Sequence, residues 1–145
     1  MIVKELMSTS INCCREDSSL EHIAAEMKSE NIGIIPICND RGEVLGIVTD
    51  RDLVLRSLCR EGKGWGENLS AKDVMSTNLV FASPNMNTHH AALLLAKYQV
   101  RRLPVTENNK LVGMLSMADI ARKTAYIDEA GDALSSICAV THSAK

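Results

Sequence analysis

Apolar positions along the chain change period at regular intervals. Leu20, Ile23, Ala24 and Met27 recur at a spacing near 3.6, which predicts an amphipathic helix to about Glu30. Ser18 and Ser19 offer caps at its start, and Asn31, Ile32 and Gly33 end it. Two apolar runs follow, at 34–38 and 43–48, separated by the turn residues Asn39, Asp40, Arg41 and Gly42; they predict a β-hairpin. A second helix is expected from Asp50 to about Cys59. Before all this, residues 3–7 suit a short helix and 11–14 a short strand, so one unit reads helix-turn, β, α, β, β, α.

The order then repeats. Residues 79–82 suit a strand ended by Ser83 and Pro84, and Asn87 can cap a helix carrying Thr88, Ala91, Ala92 and Leu95. Residues 103–106 and 110–115 form a second hairpin over Glu107, Asn108 and Asn109, and another helix covers 117–127. The expected organisation is a first unit over 1–60, a glycine-containing linker over 61–70 that includes Trp65, and a second unit over 71–127. A C-terminal tail over 128–145 is expected to hold one or two helical turns over 128–138 and to fray beyond.

Both units close on the same junction. Val44 to Arg56 reads VLGIVTDRDLVLR, a buried-strand pattern running straight into a helix whose first residues, Thr49 and Asp50, are good caps. Gly113, Ser116 and Asp119 stand in the second unit where Gly46, Thr49 and Asp52 stand in the first. Lys4, Met7, Ser8 and Thr9 likewise return as Lys72, Met75, Ser76 and Thr77, and Pro36 returns as Pro104. The chain is one unit written twice. Such a junction aims backbone N–H groups, a hydroxyl and carboxylates at one place, where a polar or phosphorylated ligand can be held.

Composition narrows the class. With one Trp, two Tyr and one Phe, the core must be aliphatic, and 145 residues suffice to build one. A net charge of −2 argues against nucleic acid or an acidic membrane as a bulk partner. No apolar run approaches the roughly 20 residues needed to span a bilayer, and the N-terminal residues lack the apolar stretch of a signal peptide. Five cysteines are an odd number without a disulfide-framework spacing, which points to a reducing cytoplasm. Cys13 and Cys14, adjacent in an extended segment, should face opposite sides, one core and one outward. Cys38, Cys59 and Cys138 suit small core positions. His89 and His90 are neighbours on a helix, cannot chelate one metal from one face, and are expected to be solvated. No nucleophile or base sits in a context that supports catalysis, so no enzyme is expected.

Two copies of β-α-β-β-α, each opening on a Met-Ser-Thr stretch and closing on Gly-x-x-Thr/Ser-x-x-Asp, resemble a tandem cystathionine-β-synthase (CBS) domain pair over nearly the whole chain. The resemblance implies an α/β (α+β) fold with two units packed by pseudo-twofold symmetry. It also implies a stand-alone pair that forms a homodimer, and two clefts between the units that take adenosine-containing ligands such as AMP, ADP or ATP, with S-adenosylmethionine or NAD also possible. No cofactor is required. Asp52 and Asp119 would accept ribose hydroxyls, while Thr49 and Ser116 would bond ribose or phosphate. By the family's cross-over arrangement, Asp52 is expected to share a cleft with Thr77, Asn78, Leu79 and Val80, and Asp119 with Thr9, Ser10 and Ile11. Ile32, Gly33 and Ile34, and Val100, Arg101 and Arg102 with Pro104, would edge the adenine slots or reach phosphate.

The two sites differ in charge. Arg101 and Arg102 occupy the positions of Gly33 and Ile34, whereas Arg51 faces no counterpart but Ala118. One strong site is therefore expected rather than two equal ones. The function expected is a regulatory module that senses an adenosyl compound and signals to an unidentified protein through a change in the dimer. The competing class is a ligand-free dimerising adaptor.

Overall fold

The computed structural model describes residues 1–58, 68–123 and 127–143. Of the expected linker over 61–70, the last three residues are described, with Leu69 buried and Ser70 bridged to Ser19; Trp65 and Cys59 lie outside the described residues. The helices are α1 (Leu20–Glu30), α2 (Asp50–Leu53), α3 (Ala71–Val74), α4 (Thr88–Tyr98), α5 (Met117–Ala121) and α6 (Ile127–Ser143). The strands are β1 (Ile34–Cys38), β2 (Val44–Thr49), β3 (Arg102–Glu107) and β4 (Lys110–Ser116). A 3-10 turn covers Val3–Glu5, and α2 runs on as a π-helical turn over Val54–Leu58, where the buried Ser57 hydroxyl donates to the Leu53 carbonyl.

Local chemistry explains most boundaries. Ser19 accepts the His22 N–H at 3.1 Å to open α1, and Asn87 accepts the His89 N–H at 2.8 Å to open α4. Both helices end in a left-handed residue, Asn31 at φ 52° and Gln99 at φ 55°. Each hairpin is antiparallel: Ile34 pairs with Thr49 and Ile37 with Gly46, and Arg102 pairs with Ser116 and Val105 with Gly113, each with one register shift just beyond.

The chain folds into two compact units that do not follow the two halves as written. One is contiguous, Asn12–Leu79; the other joins Met1–Ile11 to Val80–Lys145. The cause is a pair of short backbone bridges. Ser8 exchanges two 2.9 Å bonds with Met114 of β4, and Ser76 exchanges bonds of 2.9 and 3.0 Å with Ile47 of β2. Each Met-Ser-Thr stretch thus joins the hairpin of the other repeat. The contiguous unit has a core of Leu20, Ile23, Met27, Ile35, Ile37, Val48, Leu53, Leu69 and Val74. The discontinuous unit centres on Val3, Leu95, Leu103, Val105, Leu115 and Ile120.

Several expected elements need correction; the helix expected over 117–127 ends as α5 at Ala121. The strands expected at 11–14 and 79–82 are reduced to single parallel bridges, Cys14 to Ile37 and Ala82 to Val105. Cys14 donates to the Pro36 carbonyl and accepts from Cys38, and Ala82 does the same with Pro104 and Thr106. The next ladder bond would need an N–H from Pro36 or Pro104, which proline lacks, so pairing stops after one bridge. The C-terminal segment is also more helical than expected: α6 continues past residue 138. It lays Ala130, Ala133 and Ile137 against the discontinuous unit, packing on α4 and α5. Gly131 costs α6 only its helix propensity, about 1 kcal/mol, because nothing lies near the place a side chain would occupy.

The junction glycines answer to close packing. A Cβ on Gly113 would lie 2.5 Å from the Met7 sulfur and 3.1 Å from the Ser8 carbonyl; on Gly46 it would lie 2.6 Å from the Met75 sulfur and 3.0 Å from the Ser76 carbonyl. A methionine can swing aside, but each carbonyl is held by a bridge. Gly46→Ala and Gly113→Ala are each expected to destabilise the fold by about 1–3 kcal/mol, read by urea denaturation. Wild-type midpoints would refute this account of the glycines.

Candidate functional site

Thr49 and Ser116 each close a reciprocal capping box. The Thr49 hydroxyl accepts from the Asp52 N–H at 3.1 Å while Asp52 Oδ2 accepts from the Thr49 N–H at 2.9 Å. Ser116 and Asp119 repeat this at 3.1 and 2.8 Å. Each aspartate therefore has one oxygen fixed by backbone and the other, Oδ1, turned to side chains. The carboxylates are 14% and 17% exposed, shielded enough to strengthen a polar contact yet still reachable.

What faces Oδ1 differs between the two. Arg122 donates to Asp119 Oδ1 at 3.0 Å, with its own side chain largely exposed. Arg56 stands 3.6 Å from Asp52 Oδ1 and gives its hydrogen bonds elsewhere, to the carbonyls of Val74 at 3.0 Å and Met75 at 3.1 Å. Arg56 thus ties α2 to the end of α3, whereas Arg122 rests on the candidate ligand oxygen. Asp119 and Arg122 also line an open groove of about 280 Å³ with Glu5, Leu6 and Lys123. Arg56, Arg122, Lys123, Glu5 and Leu6 were absent from the sequence reading. The i+4 and i+3 offsets of the two arginines from their aspartates are a helical ion-pair signal that could have found them.

The two short bridges set which sequence candidates share a compact unit. In the contiguous unit, the bridge at Ser76 carries Thr77, Asn78 and Leu79 away from β2, and Ile34 pairs with Thr49. Val80, the next residue after Leu79, is the first of the discontinuous unit's second segment. There, Ser8 carries Thr9, Ser10 and Ile11 away from β4, and Arg102 pairs with Ser116. Thr9, Ser10, Thr77, Asn78, Arg51, Arg101 and Arg102 are exposed; Ile11, Ile32, Gly33, Ile34, Leu79, Val80 and Val100 are partly buried. Pro104 is buried within β3.

The charge difference between the junctions has a steric counterpart. The Asp50 N–H donates to the Gly33 carbonyl at 3.0 Å, and the Met117 N–H donates to the Arg101 carbonyl at 2.9 Å. A Cβ on Gly33 would come 3.0 Å from Asp50 Oδ2. Gly33 makes room for the Asp50 carboxylate, and Met117 in its place leaves Arg101 free of that constraint.

The cysteines separate as expected in part. Cys13 is exposed and Cys14 buried, while Cys138 is exposed rather than core because Ile137 takes the inward position of α6. Burial pushes the Cys14 thiol up from 9.0, with the Glu26 and Cys13 charges adding to it against a Ser18 hydrogen bond. Burial, then Cys13, pushes Cys38 up to about 12. Both thiols hold their protons more tightly folded than unfolded. Their stabilising contribution is therefore complete below pH 9.0; that of Cys38 is lost as the pH rises from there toward 12, and that of Cys14 as the pH rises above 9.0. Maleimide at pH 8 is expected to label Cys13 and Cys138 well before Cys14 and Cys38, as read by peptide mapping. Equal labelling would refute the assignment. His89 and His90 are exposed, and His89 Nδ1 lies 3.5 Å from Glu129 of α6.

Comparison with known proteins places the chain in a class: the CBS domain family matches residues 3–58 and 71–126, and the chain belongs to it as a tandem pair. Among its relatives is the CBS domain-containing protein YhcV of Bacillus subtilis, 36% identical over 135 residues, covering 93% of this chain and 94% of YhcV. The crystal structure of Hypoxic Response Protein I with two coordinated zinc ions superposes with a TM-score of 0.75 at 29% identity, covering 84% of this chain and 98% of that one. The CBS domain pair of protein MJ0100, solved with 5-methylthioadenosine and S-adenosyl-L-methionine, gives 0.73 at 24% identity, covering 84% and 94%, a likeness of fold. Among the described residues here, no cluster of three or more His, Cys, Asp or Glu could hold a metal ion, and no helix is long and apolar enough to cross a membrane.

Proposed function

We propose that this chain is a non-catalytic regulatory module that senses an adenosyl compound through Asp52 and Asp119. The observation that carries this reading is the doubled carboxylate geometry: Oδ2 is held by a backbone N–H, and Oδ1 is left to side chains that a ligand can displace. Oriented and part-shielded, such a carboxylate accepts from a ribose diol without paying to order itself. Thr49 and Ser116 lie beside it, with Thr77, Asn78 and Leu79 in one compact unit and Thr9, Ser10 and Ile11 in the other. The adenosyl ligands of the MJ0100 pair support the same chemical class.

Arg101 and Arg102 would meet phosphate groups near Asp119, with Arg122 and Lys123 close by. Arg51 would do so near Asp52, where Arg56 already gives its hydrogen bonds to the Val74 and Met75 carbonyls. The Asp119 site should then favour AMP, ADP or ATP, and the Asp52 site less charged compounds such as S-adenosylmethionine. Calorimetry with adenosine, AMP, ADP, ATP, S-adenosylmethionine and NAD is the test. Silence across that panel at millimolar ligand would overturn the sensor reading. Arg101→Ala with Arg102→Ala should weaken ATP by about tenfold or more while sparing adenosine; unchanged ATP affinity would remove the phosphate assignment.

A homodimer completes the reading, with ligand altering the angle between protomers and a downstream protein reading the change. Val54, Leu55 and Leu58 on the contiguous unit, and Leu93 on the discontinuous one, are 42–54% exposed, so each unit offers apolar side chains to a partner. These exposed residues equally favour the second reading, a dimerising adaptor that needs no ligand.

A further inference from the structure

We propose that Cys13 and Cys38 are a reversible thiol–disulfide pair, a modification site that a hydroperoxide opens on exposed Cys13 and Cys38 closes. It rests on the bridge at Cys14, independently of any nucleotide. Cys14 and Ile37 are bridge partners, bonded through Pro36 and Cys38, so their side chains share a face. Alternation then sends Cys13 and Arg15 to the other face, the one Cys38 shares with Pro36. Consistent with this, Cys14 packs in the core of the contiguous unit, and the Cys38 thiol lies within hydrogen-bonding reach of Cys13, with the Arg15 charge acting on it. Of the adjacent cysteines, Cys13 is the one that meets Cys38.

The backbone lets the two sulfurs close. Pro36 offers no N–H to the Asn12 carbonyl, so Asn12 and Cys13 lie outside the ladder and are exposed. Cys38, by contrast, is 2% exposed and fixed in β1. The approach a disulfide needs can therefore come from Cys13 alone. The order of events follows from the same contrast. The Cys13 thiolate attacks a peroxide oxygen, forming an S–O bond as the O–O bond breaks and hydroxide leaves. Cys38, kept protonated by burial, does not compete for the oxidant. Beside the Cys13 sulfenic acid, Cys38 loses its proton as its sulfur attacks, so that the thiolate is the nucleophile. The S–S bond forms as the S–O bond breaks, and the Cys38 proton leaves with the departing hydroxide as water. Two electrons pass from the thiol pair to the peroxide, and Arg15 stabilises the negative charge that Cys38 develops.

The test exposes the full chain to equimolar hydrogen peroxide, alkylates the remaining thiols and maps peptides without reduction, with fragmentation locating any bond. A Cys13–Cys38 link is expected, lost completely on adding dithiothreitol. Cys38→Ala should lose the link and instead give a Cys13 sulfenic acid that a cyclic 1,3-dione captures; Cys13→Ser should give neither. Cys38→Ser provides a second, nearly isosteric variant if Cys38→Ala does not fold, and in the wild type the Cys13 and Cys38 thiols should disappear together. A Cys13–Cys14 link, a link to Cys138 or between chains, or Cys13 oxidised to sulfinic acid with Cys38 still reduced would each overturn the proposal. Dione capture equal in wild type and Cys38 variants would do the same.

Discussion

Asp52→Ala and Asp119→Ala are each expected to weaken the adenosyl compound that binds the corresponding site by about 1.5–3 kcal/mol, roughly one to two decades in Kd. The loss is a charge-assisted bond to ribose at Oδ1, but alanine also removes Oδ2 and with it half of a capping box. That second loss lowers stability by about 0.5–2 kcal/mol and would confuse the result. Asn separates the two, because its amide oxygen can still accept the Thr49 or Ser116 N–H while the carboxylate charge is gone. The Asn variants should therefore melt close to wild type yet bind weakly. Arg122→Ala adds a further distinction: it frees Asp119 Oδ1 and should strengthen adenosine at that site, whereas Arg56→Ala should chiefly loosen α2 from α3. Asn variants that bind every compound as wild type does would leave Asp52 and Asp119 as helix caps and nothing more.

Features decided within a few residues were legible in the sequence. The hairpins, the caps at Ser19, Asn87, Thr49 and Ser116, and the left-handed stop at Asn31 all follow from local pattern and turn chemistry. The doubled junction was legible too, since a repeat needs no structure to be seen. Which Met-Ser-Thr stretch joins which hairpin was not. That choice is made by backbone bonds between Ser8 and Met114 and between Ser76 and Ile47, and backbone bonds carry no side-chain signature. The resemblance to a known family, rather than any periodicity, suggested the exchange. The truncated strands at Cys14 and Ala82 could have been anticipated, because Pro36 and Pro104 were in view and only the pairing partner was missing. The length of α6 was hidden by Gly131 and a run of small polar residues; its stability comes from packing on α4 and α5, not from propensity.

Neighbouring leucines on α4 should give opposite results on substitution. Leu95 is fully buried among Val3, Leu103, Leu115 and Ile120, whereas Leu93 is 54% exposed on the same helix. Leu95→Ala removes core methylenes and leaves a cavity that β3 and β4, held by their own pairing, cannot collapse into. A loss of about 2–5 kcal/mol is expected, a large share of the roughly 5–15 kcal/mol that holds a domain folded. Leu93→Ala touches no core contact and should leave stability within about 0.5 kcal/mol. If the face of α4 that exposes Leu93 is a dimer face, Leu93→Arg should shift sedimentation toward a 15.8 kDa monomer without altering the circular dichroism of the fold. A monomeric wild type at micromolar concentration, with and without nucleotide, would remove the dimer and the signalling built on it. The Leu95 result would be untouched by that outcome, because its cost arises inside one compact unit: a Leu95→Ala protein as stable as wild type would mean that α4 does not pack on β3 and β4 in solution.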